Sequence, residues 1–400
     1  MTSIDTPTYV LVLAGGAAWE AGVLEALARA GIVVARRCVD VPDLMAAASS
    51  GGAAVAIVGG DVPHLDAEVV SHLLRYDVRT LAVTTDPLVG ERLARLGVVE
   101  TVPPTGPDVV GAVERIAADD VSAELAPVGR HQEDKSASGR VLAVWGPAGS
   151  PGRTTVAVGL AAELASSART LLVDADPYGG TVAQTLGILD EMSGLLSVAR
   201  MANLGTLDAD ALVRSCRRVG DHLDVLTGLP RADRRVEVRP GVLTTVLGVA
   251  RGIGDVVVDC GFCLEDPDVH RARDRMTLDV LAAADEVLVV GAAEPTGLTR
   301  LARGLVELRD VSTAPVRVVV NRMRPSLGWS VRDIVGMVEG YVRPLAVHFL
   351  PEERAAVDRA LVAGRGLSEI GESRLRDGLA EIASSLSAQA PKSRYNPVAV

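Results

Sequence analysis

Val144-Trp-Gly-Pro-Ala-Gly-Ser-Pro-Gly-Arg-Thr-Thr-Val156 decides how this chain is read. An apolar run at 141–144 leads into it, and an apolar, alanine-rich segment at 156–165 follows. Strand, glycine-rich turn, helix is the order in which backbone amides and a helix N-terminus cradle phosphate. The usual spacing, Gly-x4-Gly-Lys-[Ser/Thr], puts the second glycine at Gly152 and the hydroxyl at Thr154. Pro147 stands where the first glycine belongs and Arg153 where the lysine belongs, so the turn departs from the strict pattern twice. The whole chain has only Lys135 and Lys392, both in polar segments away from this turn. Any phosphate held here is held without lysine. The candidate cradle runs through Gly146, Gly149, Ser150, Gly152, Arg153, Thr154 and Thr155. Pro151 has no amide to donate. Thr154 is set to ligate Mg²⁺ and Thr155 to touch a phosphate.

Working outward, 400 residues exceed one ordinary core, so two domains are expected. A hydrophobic fraction of 48% with 23% charged residues belongs to a globular chain. The net charge of −11 argues against general affinity for nucleic acid or anionic membrane. No apolar run reaches the ~20 residues of a membrane helix. The start, Met-Thr-Ser-Ile-Asp, lacks a signal-peptide pattern, and four cysteines make no disulfide framework. A cytoplasmic location is expected.

Residues 8–117 alternate strand-like and helix-like segments. Strands are predicted at 9–13, from 32, 53–58, 78–83 and 98–102, with helices at 19–30, 43–48, 67–75, 87–96 and 109–118. Five such repeats specify a small doubly wound parallel sheet. Residues 121–139 carry no apolar face and read as a linker. A second, larger alternation fills 140–388, with strands at 141–144, 170–173, 223–226, 256–258, 286–290, 316–320 and 346–350. Helices at 352–363 and 374–386 close it, and 389–400 reads as a loose tail. The fold class is thus α/β, with two doubly wound parallel-sheet domains.

Open sheets of this kind bind ligands at the carboxyl ends of their strands. The strand at 170–173 leads into Asp174-Ala-Asp176, two acids able to reach a metal and an attacking water together. Val256-Val-Val leads into Asp259, suited to holding Mg²⁺ through water. Three such features after three strands define a nucleotide site.

The order of turn, Asp-x-Asp-Pro, Val-Asp-Cys-Gly and Val-Val-Val-Asn321-Arg322 resembles the ParA/MinD class of P-loop ATPases across most of 140–386. The resemblance implies ATP and Mg²⁺ as cofactors, homodimerisation, and a water-positioning role for Asp176, with Arg153 carrying catalytic charge. It further implies metal-site roles for Asp174, Asp259 and Thr154. It makes Asn321-Arg322 the strand-end pair whose asparagine reads the adenine edge, and sets Pro351 in a later loop bordering the base. The family's signature lysine falls at Ala148. Arginine at 153 keeps the charge in a longer, planar group, so weakened binding and slow hydrolysis are expected.

The N-terminal half is similar to a response-regulator receiver in size and order. Ala14-Gly15-Gly16 replaces the acids after its first strand, Gly59 falls at the phosphoacceptor place with Asp61 nearby, and Pro103-Pro104 replaces a lysine after the fifth. A degenerate receiver joined to a lysine-poor ATPase is similar to the TadZ/CpaE pilus-assembly family and its septum-site-determining relatives. Protein components of a pilus, secretion or division machine are the implied partners. The alternative is a pseudo-ATPase scaffold. Cys260-Gly-Phe-Cys263 lacks the second ligand pair a zinc site needs. The basic stretches at 214–218, 231–235 and 300–309 (Arg300, Arg303 and Arg309) read as solvated faces rather than a DNA track. Nothing near the C-terminus forms the basic amphipathic helix of autonomous membrane binding.

Overall fold

The computed structural model describes residues 8–123, 139–189, 192–265 and 275–387. Most of the linker expected at 121–139, the tail expected at 389–400, and both lysines lie outside the described residues. The chain divides into two compact units, one built on residues 8–123 and the other mostly on the residues from 139 onward.

In the first unit, strands β1 (Tyr9–Leu13), β2 (Val33–Arg37), β3 (Val55–Gly59), β4 (Arg79–Val83) and β5 (Glu100–Val102) form one sheet in the order β2-β1-β3-β4-β5. All its pairings are parallel. Helices α1 (Glu20–Arg29), α2 (Val41–Ser49), α3 (Ala67–Arg75), α4 (Pro87–Arg95) and α5 (Gly106–Ala123) make the crossovers. This is the flavodoxin-like doubly wound order. β3 is buried along its whole length because apolar layers cover both sheet faces, one with Leu44 and Leu73, the other with Leu27 and Val113. α2 starts at Val41, two residues before the sequence expectation. Asp40 caps it by accepting from the Asp43 amide, and Pro42 fits the first turn, where its missing N–H has no partner to lose.

The second unit holds strands β6 (Val141–Trp145), β7 (Thr170–Ala175), β8 (Arg217–Arg218), β9 (Leu223–Leu226), β10 (Asp255–Cys260), β11 (Glu286–Ala292), β12 (Val316–Met323) and β13 (Val347–Pro351). Their order is β13-β12-β11-β6-β10-β7-β9-β8, parallel except for the β8–β9 pair. Helices follow as α6 (Arg153–Leu164), α7 (Val182–Thr185), α8 (Gly194–Asn203), α9 (Ala209–Ser215), α10 (Val242–Arg251), α11 (Arg275–Ala283), α12 (Pro295–Val311), α13 (Val331–Glu339), α14 (Arg354–Ala363) and α15 (Arg374–Ser387).

Two corrections to the sequence reading matter for the site. β8 went unanticipated, because it is two arginines with no apolar alternation, held by antiparallel pairing and by Arg218 bonding Asp224 of β9. The central strands also run further than their apolar residues. Asp174 and Asp259 lie within β7 and β10, paired across the ladder, because the parallel hydrogen bonding continues to Cys260 and Ala175. Asn321 likewise lies within β12, opposite Ala292.

α6 is apolar nearly all round, as a helix sandwiched between layers must be. One side lies on β10 and β7, the other against α15, where Gly159 admits Leu379 so closely that any side chain at 159 would collide with it. Leu379 is 1% exposed. Leu379→Ala should therefore cost about 2–5 kcal/mol. The expected readout is a lower urea midpoint for the second unit at unchanged slope; an unmoved midpoint would show that α15 does not brace α6.

Candidate nucleotide site

The site is assembled by strand order. β10 lies between β6 and β7, so the turn after β6 and the acids of β7 and β10 share one sheet end. Register places Val144, Asp259 and Asp174 side by side. From the far side of β11, Asn321 reaches the turn: its Nδ2 donates to the Pro151 carbonyl at 2.9 Å, and its Oδ1 accepts from the Arg322 amide at 2.9 Å.

The turn closes with the Ser150 amide donating to Pro147 O at 3.0 Å, and α6 begins after Gly152. Gly152 has φ +94°, a left-handed conformation, and a Cβ there would strike the Asn321 amide. Only glycine meets both demands. The first amides of α6 face outward without intrahelical partners, as at any helix start, and they carry the positive end of the helix dipole. The Arg153 guanidinium folds back over the turn. It donates to Gly146 O at 2.9 Å and lies 3.5 Å from Asp176 Oδ2.

The acids divide by partner. Asp176 Oδ1 accepts from the amides of Tyr178 and Gly179, which fixes the carboxylate at the head of its loop. Asp174 accepts from the amides of Asp176 and Val182, one on each oxygen, with Gly180 and Gly228 closing around it. Asp259 Oδ2 accepts from the Thr154 hydroxyl at 2.6 Å, while its Oδ1 is buried with no hydrogen-bond partner. Asp174 and Asp259 are 2% and 1% exposed. Burial pushes the Asp174 carboxyl up to about 8, helped by the neighbouring Asp259 charge. Burial likewise lifts Asp259 to about 7 against the opposing pull of Thr154 and Arg153. Cys260 beside them is buried, and burial raises its thiol well above the usual range, as befits a packing residue.

Among the described residues no group of three His, Cys, Asp or Glu side chains could cage a metal ion. The oxygens at hand are one hydroxyl and one unpartnered carboxylate oxygen. That set suits a hard cation that keeps most of its water, the habit of Mg²⁺ rather than of Ca²⁺ or Zn²⁺.

Two cavities border the turn. One of about 450 Å³ is lined by Gly152, Thr155, Asn321, Arg322, Pro351, Glu352 and Asp358 among others, and so brings together Asn321, Arg322 and Pro351, the residues expected near a base. The other, about 380 Å³, is lined by Gly149, Ser150, Arg153, Arg300 and Arg322, with the start of α12. Arg300 was read in the sequence as part of a solvated basic face. The signal that finds it is position, since it sits less than two turns into the helix that follows β11.

No family model matches the sequence, and no curated protein matches it. Solved structures do resemble it in fold. The likeness is one of fold, to ParA and MinD ATPases. A ParA family ATPase from Chlorobium tepidum superimposes with a TM-score of 0.53 at 18% identity, covering 62% of this chain and 99% of that one. The cell division ATPase MinD of Pyrococcus furiosus gives 0.51 at 20% identity, covering 62% and 98%. The MinC:MinD cell division protein complex of Aquifex aeolicus gives 0.50 at 19%, covering 64% and 99%. Those chains are matched almost whole, over a share of this one the size of its second unit. No helix of the described residues is long and apolar enough to cross a membrane.

The buried carboxyls carry a pH signature. Their folded-state affinity for protons exceeds the unfolded one, so stability falls as pH rises from about 4 towards about 8. Asp259→Asn keeps an acceptor for Thr154 and removes a charge. In metal-free buffer it should raise the Tm of the second unit at pH 8 by roughly 2–4 °C, what about 1 kcal/mol gives in a domain of about 250 residues, and by much less at pH 5. Equal shifts at both pH values would contradict this account.

Proposed function

We propose that the chain is an ATP-binding, slowly hydrolysing positioning ATPase of the ParA/MinD type. The observation that carries this reading is the Thr154–Asp259 bond of 2.6 Å beside a buried, unpartnered carboxylate oxygen, at the mouth of a phosphate-binding turn. Thr154 and Asp259 would hold Mg²⁺; Asp174, also expected at the metal, has both oxygens engaged by the amides of Asp176 and Val182 and would instead shape the loop that carries Asp176. When bound, the ion would neutralise charge on the β- and γ-phosphates. The turn amides and the α6 N-terminus bind the phosphates, and Asn321, Arg322 and Pro351 border the base. Asp176, aligned by two amides, orients a water for in-line attack on the γ-phosphorus. Arg153 supplies charge after parting from Asp176. With no lysine in the turn, a transition-state contact worth on the order of 3 kcal/mol is weakened or lost, roughly a hundredfold in rate.

The first unit is proposed as a degenerate receiver. Its strand order supports this, and β3 ends in Gly59 where a phosphoacceptor would stand. Its role would be docking or dimerisation. Together the two units suggest a TadZ/CpaE-like or septum-site-determining protein, a cytoplasmic homodimer that localises a pilus, secretion or division apparatus through protein partners.

One observation favours a second reading, a pseudo-ATPase scaffold: Arg153 is already engaged by Gly146 and Asp176. Single-turnover ATP hydrolysis separates the two. Asp176→Ala should slow the wild-type rate by about a hundredfold or more, the usual worth of a residue that activates the nucleophile. Arg153→Ala should slow it as well. Background rates in all three proteins would leave the scaffold.

A further inference from the structure

A triphosphate brings about four negative charges to a turn whose only cation, Arg153, is shared with Asp176. The 380 Å³ cavity beside the turn offers more. Arg300 reaches it from α12, its guanidinium laid against the tip of the turn. Gly149 has φ +76° there, and a Cβ on it would collide with that guanidinium. Arg322 reaches the cavity from β12 with φ +61°, a left-handed backbone that a long side chain rarely adopts. Such strain persists where the surroundings impose it, often at binding sites. The β12–β13 register shifts at this point.

The charges do not cancel. Neither the Arg300 nor the Arg322 guanidinium has a hydrogen-bond or ion-pair partner among the described residues. Glu294, the acid on the cavity wall, is bonded to Arg324 at 3.3 Å, and Arg324 also meets Glu352 at 3.2 Å. Three guanidinia thus face one cavity whose carboxylate is already paired. Planar forks of this kind suit phosphate oxygens better than any other common anion except carboxylate.

We propose that Arg300 is a terminal-phosphate clamp that supplies from α12 the charge that Ala148 and Arg153 leave short, with Arg322 on the wall shared between this cavity and the one assigned to the base. It would make the site selective for triphosphate over diphosphate. This rests on the nucleotide reading above and adds to it a residue outside the turn.

The test compares ATP and ADP affinity, by calorimetry with Mg²⁺, in wild type, Arg300→Ala and Arg300→Lys. Arg300 is exposed, so its replacement leaves the fold intact, which matched thermal melts would verify. Loss of a charged phosphate contact should weaken ATP about tenfold or more while ADP changes less than threefold, with Arg300→Lys in between. Equal weakening of both nucleotides, or no weakening of either, would overturn the clamp while leaving ATP binding in place. A wild-type chain that binds neither nucleotide would overturn both readings.

Discussion

Two buried carboxylates on adjacent strand ends set the terms for the second unit. Asp174 and Asp259 stand opposite one another in the β7–β10 ladder, nearly out of reach of solvent. Charges so placed are unfavourable unless something answers them. The answers are all visible: amides of Asp176 and Val182 for one, the Thr154 hydroxyl and the Arg153 charge for the other. One carboxylate oxygen remains unanswered. Burial without a partner for that oxygen is unfavourable in itself, and under the proposed function a cation would relieve it.

The position of Arg153 follows from the same constraint. A lysine in its place would be a compact point charge on a flexible stem; the guanidinium can bridge a carbonyl and a carboxylate at once. It does so here, linking Gly146 to Asp176. The turn is thereby stitched to the head of the loop after β7. Under the proposed function, phosphate would have to displace the Asp176 carboxylate on this guanidinium.

Much of this was legible from residue order. Apolar runs ending in acids gave β7 and β10, and the glycine spacing gave the turn, because a fully buried parallel strand has no polar face to disguise it. Strand order in space was not legible. Nothing in the local sequence says that β10 inserts between β6 and β7, which is what brings Asp259 to Thr154. Nor does spacing reveal that Asn321, some 170 residues on, braces the Pro151 carbonyl. The place of Arg300 beside the turn was illegible for a similar reason. On a helix that also carries Arg303 and Arg309, only tertiary placement tells which arginine lies against the turn. β8 escaped because two arginines make no pattern.

Gly159 has a mechanical consequence. By letting Leu379 sit almost against the α6 backbone, it removes the slack that a side chain's thickness would leave between two helices. The glycine-rich turn is thus attached to a helix packed closely on both flanks. Under the proposed function, adjustment to an arriving phosphate would fall to the side chains at the rim and the loop beyond β7 rather than to the turn.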